Sequence, residues 1–428
     1  MKKVLLSLVV VTGALLFFPF FISDSVQLKH QSFLDHFEKN STSFTLKNSE
    51  FEQHWFGATA KNTLVIPLVD TAVPNVELTI VEDISFGPIL FSSSGITLGY
   101  ARSIVTIEVN DAIIKPEVAQ LIKDNISIQA VYTLSQNVIA NIDVKKIETH
   151  IDNEQVIIEP LTANYAFVDG KHISANLHWL GATLSDNKAT FTLGEMLLDS
   201  EQTLIDGSAY SSNALFKGKF TALLIQLNVI DKLGTPLLSM KELNLLAESK
   251  VDKDLMRVNF GYHADEVIYG QQAYNNANFS MVINNLKIDI LQQVIVLFND
   301  AQSHSMHLTS PEYSSQFLAL LDKLLVHEPA FKLSDFSVET TSGKIAANLN
   351  LSIDKVTFDP SNTSSLITAL KLDAKGNAPT DFFKQLDLTP FVDMYVQQGY
   401  LLKSEKNINF TVNLSEGVLE VNENPIPL

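Results

Sequence analysis

Two histidines set three residues apart, His304 and His307, have the spacing in this chain that best suits a shared metal ion. On a helix both imidazoles would lie on one face, and imidazole nitrogen is a common ligand of zinc and other transition metals. The nearest acids, Asp300 and Glu312, could add oxygen ligands. Because two imidazoles do not make a closed site, we interpret this segment as a solvated loop and predict no metal site.

Four acidic residues flank one predicted strand, two on each side, and could supply carboxylates to a hydrolase. A general acid and a general base can both be carboxylates when they share a cleft. Asp265 and Glu266 are the pair that this alternative function would use. Asp252 and Asp254, on the other side of the strand, lack the glycine of a calcium loop. Solvated hairpin ends are the simpler interpretation of all four residues.

The motifs of the well-marked enzyme classes are absent from the sequence. It has no GxxxxGK[ST] phosphate loop, no GxGxxG fingerprint, no GxSxG nucleophile elbow and no HExxH zinc helix. There are no cysteines, which excludes disulfides, zinc–thiolate and iron–sulfur sites and cysteine nucleophiles. We therefore predict no catalytic residue, no cofactor and no enzymatic activity.

The composition predicts a folded protein that does not bind nucleic acid. Hydrophobic residues make up 46% of the chain and charged residues 18%, which is enough apolar surface to build a core. Acidic residues number 48 against 30 basic ones. The resulting net charge of −18 opposes contact with phosphate backbones.

The N-terminus carries an uncharged, mostly apolar run from Val4 to Ile22, long enough for a helix to cross a hydrocarbon core of roughly 30 Å. Lys2 and Lys3 precede it and Asp24 follows it, which places the N-terminus in the cytoplasm. A cleaved signal peptide is the alternative, but the aromatic end of the run offers no small-residue cleavage site. We predict a single-pass inner-membrane anchor over residues 1–23, with the bulk of the chain in the periplasm.

The segment after the anchor, residues 24–42, spaces Val26, Phe33, Leu34 and Phe37 between polar residues. This spacing predicts a short amphipathic helix. The helix could lie at the membrane interface or pack on the following domain, and packing is the simpler interpretation.

From residue 43 to 428 the main pattern is alternation of apolar and polar residues, which is typical of half-buried antiparallel strands. Turn residues such as Asp169–Gly170 and Glu416–Gly417 separate the runs. We predict a mainly β region built as an extended meander or curved sheets, possibly in two halves near 43–235 and 236–428. The clearest runs are Ile126–Leu134, His172–Leu180, Lys188–Leu193, Lys344–Ile353 and Asn407–Leu414.

A few short helices interrupt this β pattern. Each has apolar residues at helical spacing, and Pro116 suits the first turn of one of them. The predicted helices cover Pro116–Lys123, Leu291–Asn299, Pro311–Leu325 and Thr380–Gln397.

Several short motifs resemble those of the YdgA family of Gram-negative envelope proteins, a family of unknown function. They include Trp55–Phe56–Gly57, the turn around Phe86–Gly87–Pro88 and the later pair Glu328–Leu333 and Gly343–Leu349. Phe86 stands where family members commonly carry histidine, which favours a structural role for that turn. The resemblance implies an inner-membrane, periplasm-facing, β-rich protein and supplies no activity to carry over.

Taken together, these patterns favour a non-enzymatic binding or scaffolding protein of the cell envelope with a protein or lipid ligand. The lipid version predicts strands whose inner face is apolar yet open to solvent. An envelope hydrolase using carboxylates is the alternative. The sequence leaves the oligomeric state open.

Overall fold

A computed structural model describes residues 19, 23–32, 34–35, 45–67, 75–92, 95–109, 116–135, 137–151, 154–207, 214–303, 311–359, 362 and 365–426. The chain divides into two compact units. Unit 1 comprises Met1–Leu184 and Leu197–Ala214, and unit 2 comprises Ser185–Met196 and Leu215–Leu428.

The predicted amphipathic segment contains a helix, α1, whose described residues include 23–32 and 34–35. Leu34 is buried, and Val26 packs against a core cluster of the sheet in unit 1. The predicted anchor, residues 1–23, lies outside the described residues except for Pro19 and Ser23. In the part of the chain that is described, no helix has both the length and the apolar character needed to cross a bilayer.

Unit 1 is an antiparallel meander paired in the order β1–β2–β3–β5–β6–β7–β10–β11–β14. Helix α2, Pro116–Asn125, precedes β6, and β4 forms a hairpin with β5. The strands are β1 Thr45–His54, β2 Gly57–Pro67, β3 Asn75–Phe86, β4 Ile89–Ser92, β5 Gly95–Val109, β6 Ile126–Thr133, β7 Val138–Val144, β8 Ile147–Ile151, β9 Glu154–Ile158, β10 Leu161–Val168, β11 His172–Trp179, β12 Ala182–Ser185 and β14 Met196–Asp206.

Unit 2 is a second antiparallel meander, paired in the order β13–β15–β16–β17–β18–β19–β20–β21–β23–β24–β25. Short β22 pairs with β23. The strands are β13 Ala189–Leu193, β15 Leu215–Asp231, β16 Pro236–Asp252, β17 Leu255–Tyr269, β18 Gln272–Lys287, β19 Ala330–Thr340, β20 Gly343–Ile353, β21 Leu370–Pro379, β22 Leu402–Lys403, β23 Asn407–Ser415, β24 Val418–Val421 and β25 Asn424–Ile426.

The helices of unit 2 connect strands that are consecutive in the chain. Between β18 and β19, Leu297 and Ala301 of one helix form a buried cluster with Tyr313 of the next. The helices are α3 Ile288–Ser303, α4 Pro311–Leu325, α5 Ser365–Ala369, α6 Thr380–Gln385 and α7 Thr389–Gln397.

The mainly antiparallel fold predicted from the alternating pattern is confirmed, and two local expectations need correction. The continuous helix predicted over Thr380–Gln397 is interrupted, because Asp387 adopts a left-handed conformation with φ 57° and Pro390 opens the next helix. The division into halves near residue 235 stays a prediction, and residue 235 itself lies in the turn of the β15–β16 hairpin. β17 also continues to Tyr269, so Asp265 and Glu266 lie within a strand and not at a hairpin end.

Candidate functional site

The strand registers align apolar side chains into a continuous row across the sheet of unit 1. Because side chains alternate between faces, residues paired directly across neighbouring strands share one face. This row takes one residue from each of eight strands, β1, β2, β3, β5, β6, β7, β10 and β11, and is apolar at every position except Glu82. Its members are Phe51, Ala60, Glu82, Val105, Ile128, Ile142, Ala163 and Leu177.

Where the row crosses β7, β10 and β11, the apolar face carries a shallow depression of about 200 Å³. Its floor is alanine, whose side chain ends at Cβ, and its walls are larger apolar residues. Most of these side chains are only half-buried. The residues lining it on this face are Ala140, Ile142, Ala163, Tyr165, Ala175, Leu177 and Leu198. We call this the alanine groove.

The opposite face of the same strands is polar. Gln129, Asn141, Asn164 and Asn176 follow one another across β6, β7, β10 and β11. The Asn164 amide donates a hydrogen bond to Asn176 Oδ1 over 2.9 Å. The sheet of unit 1 therefore has one polar face and one apolar face, and the alanine groove lies on the apolar face.

The single carboxylate of the apolar row, Glu82, is held in a polar cluster under α1. His30 Nε2 lies 2.8 Å from Glu82 Oε1, and the Ser103 hydroxyl donates to Glu82 Oε2 over 2.9 Å. Asn62 donates a longer bond of 3.4 Å. The side chains of His30 and Glu82 are 12% and 15% exposed. The cluster thus joins α1 to β2, β3 and β5 through buried polar contacts.

The ionised form of Glu82 is favoured despite its burial. Desolvation raises the pKa of a buried carboxyl. Here the hydrogen bond and the charge of His30, together with the hydrogen bond from Ser103, outweigh desolvation and lower the pKa of Glu82 below its ordinary value. Removing His30 would leave a buried charge with weaker partners.

Unit 2 carries a corresponding apolar row, richer in aromatic residues. Tyr262 stacks on Phe279 with ring centroids 5.8 Å apart. Tyr262 and Phe336 remain about 40% exposed, so this part of the face is open. Gly376 leaves room for the Phe410 ring, which any Cβ at that position would overlap. The row runs Ala222, Leu245, Tyr262, Phe279, Phe336, Ala347, Gly376 and Phe410.

The polar face of unit 2 holds a histidine between two oxygen acceptors. His263 Nε2 lies 2.7 Å from Asp265 Oδ1, and Nδ1 lies 2.8 Å from Asn278 Oδ1. The Asn278 amide donates to the Asn276 carbonyl, which orients its oxygen toward the ring. The hydrogen bond that His263 donates to the Asp265 carboxylate is the largest of the contributions that raise the pKa of His263. A doubly protonated imidazolium satisfies both acceptors.

The carboxylates proposed for a hydrolase do not converge. Asp265 and Glu266 are neighbours in β17 and lie on opposite faces, where Asp265 contacts His263 and Glu266 pairs with Lys241 at 2.6 Å. Asp254, in the β16–β17 turn, pairs with Lys287, and Asp252 is exposed there. These carboxylates therefore do not line one shared cleft, which the alternative function would require of them.

The paired histidines His304 and His307 lie outside the described residues. Asp300 accepts a hydrogen bond from the Tyr313 hydroxyl at 2.6 Å. Within the described ranges, no cluster of three or more histidine, aspartate or glutamate side chains could hold a metal ion.

Comparison with known proteins places the chain in a family without an assigned role. The model of the family described as "Bacterial protein of unknown function (DUF945)" matches residues 1–428. The chain belongs to this family. The narrower resemblance to the YdgA family remains an interpretation of the sequence motifs.

One curated relative of this DUF945 protein is the "Uncharacterized protein YihF" of Escherichia coli (strain K12). The two are 27% identical over 178 residues, which is 39% of this chain and 36% of the relative. The chain thus matches about a third of that relative's length. No solved structure matches the chain.

Sequence reasoning on this DUF945 protein missed both histidine–carboxylate contacts. His30 and Glu82 are 52 residues apart and come together only when α1 packs on β3. The available signal was a lone glutamate at a position where the alternation requires an apolar residue. The sequence marks Asp265 as one of four acids, and no motif in it points to His263 as the partner.

Proposed function

We propose that this protein is a non-enzymatic binding protein of the bacterial envelope and that the alanine groove of unit 1 takes lipid acyl chains. The observation that carries the proposal is the apolar row across unit 1, half-buried where it crosses β7, β10 and β11. Monomeric proteins seldom leave such a face open unless it contacts a ligand, a membrane or a partner.

An acyl chain suits this groove better than an extended peptide. The three strands that supply the alanines of the groove are each paired on both sides, since β7 pairs with β6 and β10, β10 with β7 and β11, and β11 with β10 and β14. A peptide lying across these three strands would find no free strand edge on them and would bury its own N–H and C=O groups without partners. An acyl chain carries no such groups, so apolar contact alone can hold it.

The proposed location follows from the N-terminal sequence. The apolar run Val4–Ile22, preceded by Lys2 and Lys3, supports an inner-membrane anchor with the two units on the periplasmic side. An anchor of this kind would keep the groove close to a source of lipid.

Filling the groove is the direct test. Ala163→Phe places a large ring on the floor beside Ile142 and Leu177. Full-length protein in lipid nanodiscs would be exposed to a phospholipid with a photoreactive acyl chain, and crosslinked peptides would be quantified by mass spectrometry. We expect the wild type to crosslink on β7, β10 and β11, and Ala163→Phe to lose roughly tenfold, equivalent to about 1.4 kcal/mol of binding free energy.

Thr162→Phe is the matched control, because Thr162 is exposed on the polar face of the same strand. It adds the same ring and should leave crosslinking unchanged. Equal labelling of both variants, or labelling spread over the polar face, would refute the proposal. Reproducible capture of a polypeptide in the groove, with no lipid, would favour a protein ligand instead.

A further inference from the structure

One end of unit 1 exposes large apolar side chains from two neighbouring turns. Trp55 and Phe56 form the β1–β2 turn, and Phe91, Ile96 and Leu98 belong to the β4–β5 hairpin. All five are more than half exposed, from 52% for Trp55 to 69% for Ile96. We call these five residues the apolar tip.

Backbone hydrogen bonds hold the apolar tip to the end of the sheet. Phe86 N–H donates to the Phe56 carbonyl over 2.8 Å, and Gly87 N–H donates to the Tyr100 carbonyl over 2.7 Å. Gly57 and Gly87 permit this close approach, because a Cβ on either would overlap a backbone carbonyl oxygen of a neighbouring strand. The exposed side chains are therefore presented by a fixed backbone.

The apolar tip lies beside the point where the chain enters unit 1. Val26 of α1 packs on the cluster that contains Ala58 and Phe86, which are the chain neighbours of Gly57 and Gly87. The Lys29 ammonium lies 5.8 Å from the centre of the Tyr100 ring. Ser23 is three residues before Val26, about 4.5 Å along a helix. In sequence, the apolar run Val4–Ile22 comes directly before it.

Charge also distinguishes the apolar tip from the rest of the molecule. The stretch from Gly87 to Gly99 contains no charged residue in a chain whose net charge is −18, and a charged group that contacts it, the Arg102 guanidinium donating to the Phe91 carbonyl, is positive. An acidic surface is repelled by anionic headgroups, and an uncharged aromatic one is not. Tryptophan and phenylalanine with aliphatic neighbours are the residues that settle at the boundary between headgroups and acyl chains.

We infer that the apolar tip inserts into the surface of the bilayer beside the N-terminal anchor and holds unit 1 against the membrane. The inference rests on the membrane attachment in the proposed function. Insertion would remove the exposed apolar area of these five large side chains from water, which is favourable. The partner is the lipid surface itself.

The two tryptophans of the chain allow a test with matched probes. Trp55 is in the apolar tip, and Trp179 lies on the apolar face of unit 1, two residues along β11 from Leu177 of the alanine groove. Full-length Trp179→Phe and Trp55→Phe proteins, each with one tryptophan, would be placed in nanodiscs of phospholipid with or without brominated acyl chains. We expect brominated lipid to quench Trp55 by at least roughly twofold and to shift its emission to the blue.

A second variant separates insertion from general exposure. Leu98→Ser should reduce the quenching of Trp55, whereas Leu134→Ser, which removes a leucine exposed in the β6–β7 turn, should not. Unquenched Trp55 would overturn the inference, whether its emission is red-shifted by water or blue-shifted by self-association. Quenching of Trp179 reports lipid in the groove, and resistance of the protein to alkaline extraction reports the anchor. A failure of the groove proposal or of the anchor can therefore be told apart from a failure of the apolar tip to insert.

Discussion

Among the described residues, each unit shows a histidine–carboxylate contact whose geometry is known, His30–Glu82 in unit 1 and His263–Asp265 in unit 2, and the two lie in opposite environments. His30 and Glu82 meet on the apolar face of unit 1, where both side chains are at most 15% exposed. His263 and Asp265 meet on the polar face of unit 2, with 36% and 49% exposure. The two contact distances are nearly equal, 2.8 and 2.7 Å. The contact distance alone therefore cannot tell which pair contributes more to stability.

The degree of burial determines how much each pair contributes to the free energy of unfolding. A buried pair that loses one partner leaves an uncompensated polar group in an apolar surround, and this costs several kcal/mol. An exposed pair is screened by water and contributes at most about 1 kcal/mol. We therefore expect the pair in unit 1 to hold α1 on the sheet. We expect the pair in unit 2 to affect the protonation of His263 but to add little to stability.

The largest effect is expected from Glu82→Ala. It leaves His30, Ser103 and Asn62 without their shared acceptor under α1. We expect the free energy of unfolding of unit 1 to fall by about 3 kcal/mol. Because Trp55 and Trp179 both belong to unit 1, tryptophan fluorescence during urea unfolding reports this unit.

Glu108→Ala is the matched control for this prediction. Glu108 lies on neighbouring β5, and its pair with Lys123 is nearly half exposed on both sides. We expect it to cost less than about 0.5 kcal/mol. If Glu82→Ala and Glu108→Ala lower the free energy of unfolding equally, burial does not determine the contribution of these two pairs. The same argument could then not be used to compare unit 1 with unit 2.

The faces of both sheets were predictable from the sequence, whereas these polar contacts were not. Alternation alone predicts that Ile128, Ile142 and Ala163 lie toward one face, because the side-chain period of a strand is two. It cannot give the register that aligns them across β6, β7 and β10 or places Glu82 in their row. That register depends on turn geometry and on packing between residues far apart in sequence.

A smaller effect is expected when acid removes only the charge of Glu82. Its pKa is lowered in the folded state, so its stabilising contribution is complete above the unfolded value of about 4.5 and is lost as the pH falls through the folded pKa. Urea unfolding of wild type and Glu82→Gln should therefore differ at pH 7 and converge below pH 4.5. A stability difference that persists unchanged at low pH would mean that the carboxylate charge is not what holds α1.

The smallest effect belongs to His263, and its pH dependence has the opposite sign. The hydrogen bond that His263 donates to Asp265 holds the pKa of His263 above its ordinary value of 6.5. The stabilising contribution is therefore complete below that pH and is lost as the pH rises through the folded pKa. Solvent screening limits it to about 0.5 kcal/mol. NMR titration of labelled histidines, with His263→Ala for assignment, should give a midpoint above 6.5, and Asp265→Asn should lower it. A midpoint unmoved by Asp265→Asn would show that the exposed carboxylate does not control the protonation of this ring. The His263–Asp265 pair would then make no measurable contribution to stability.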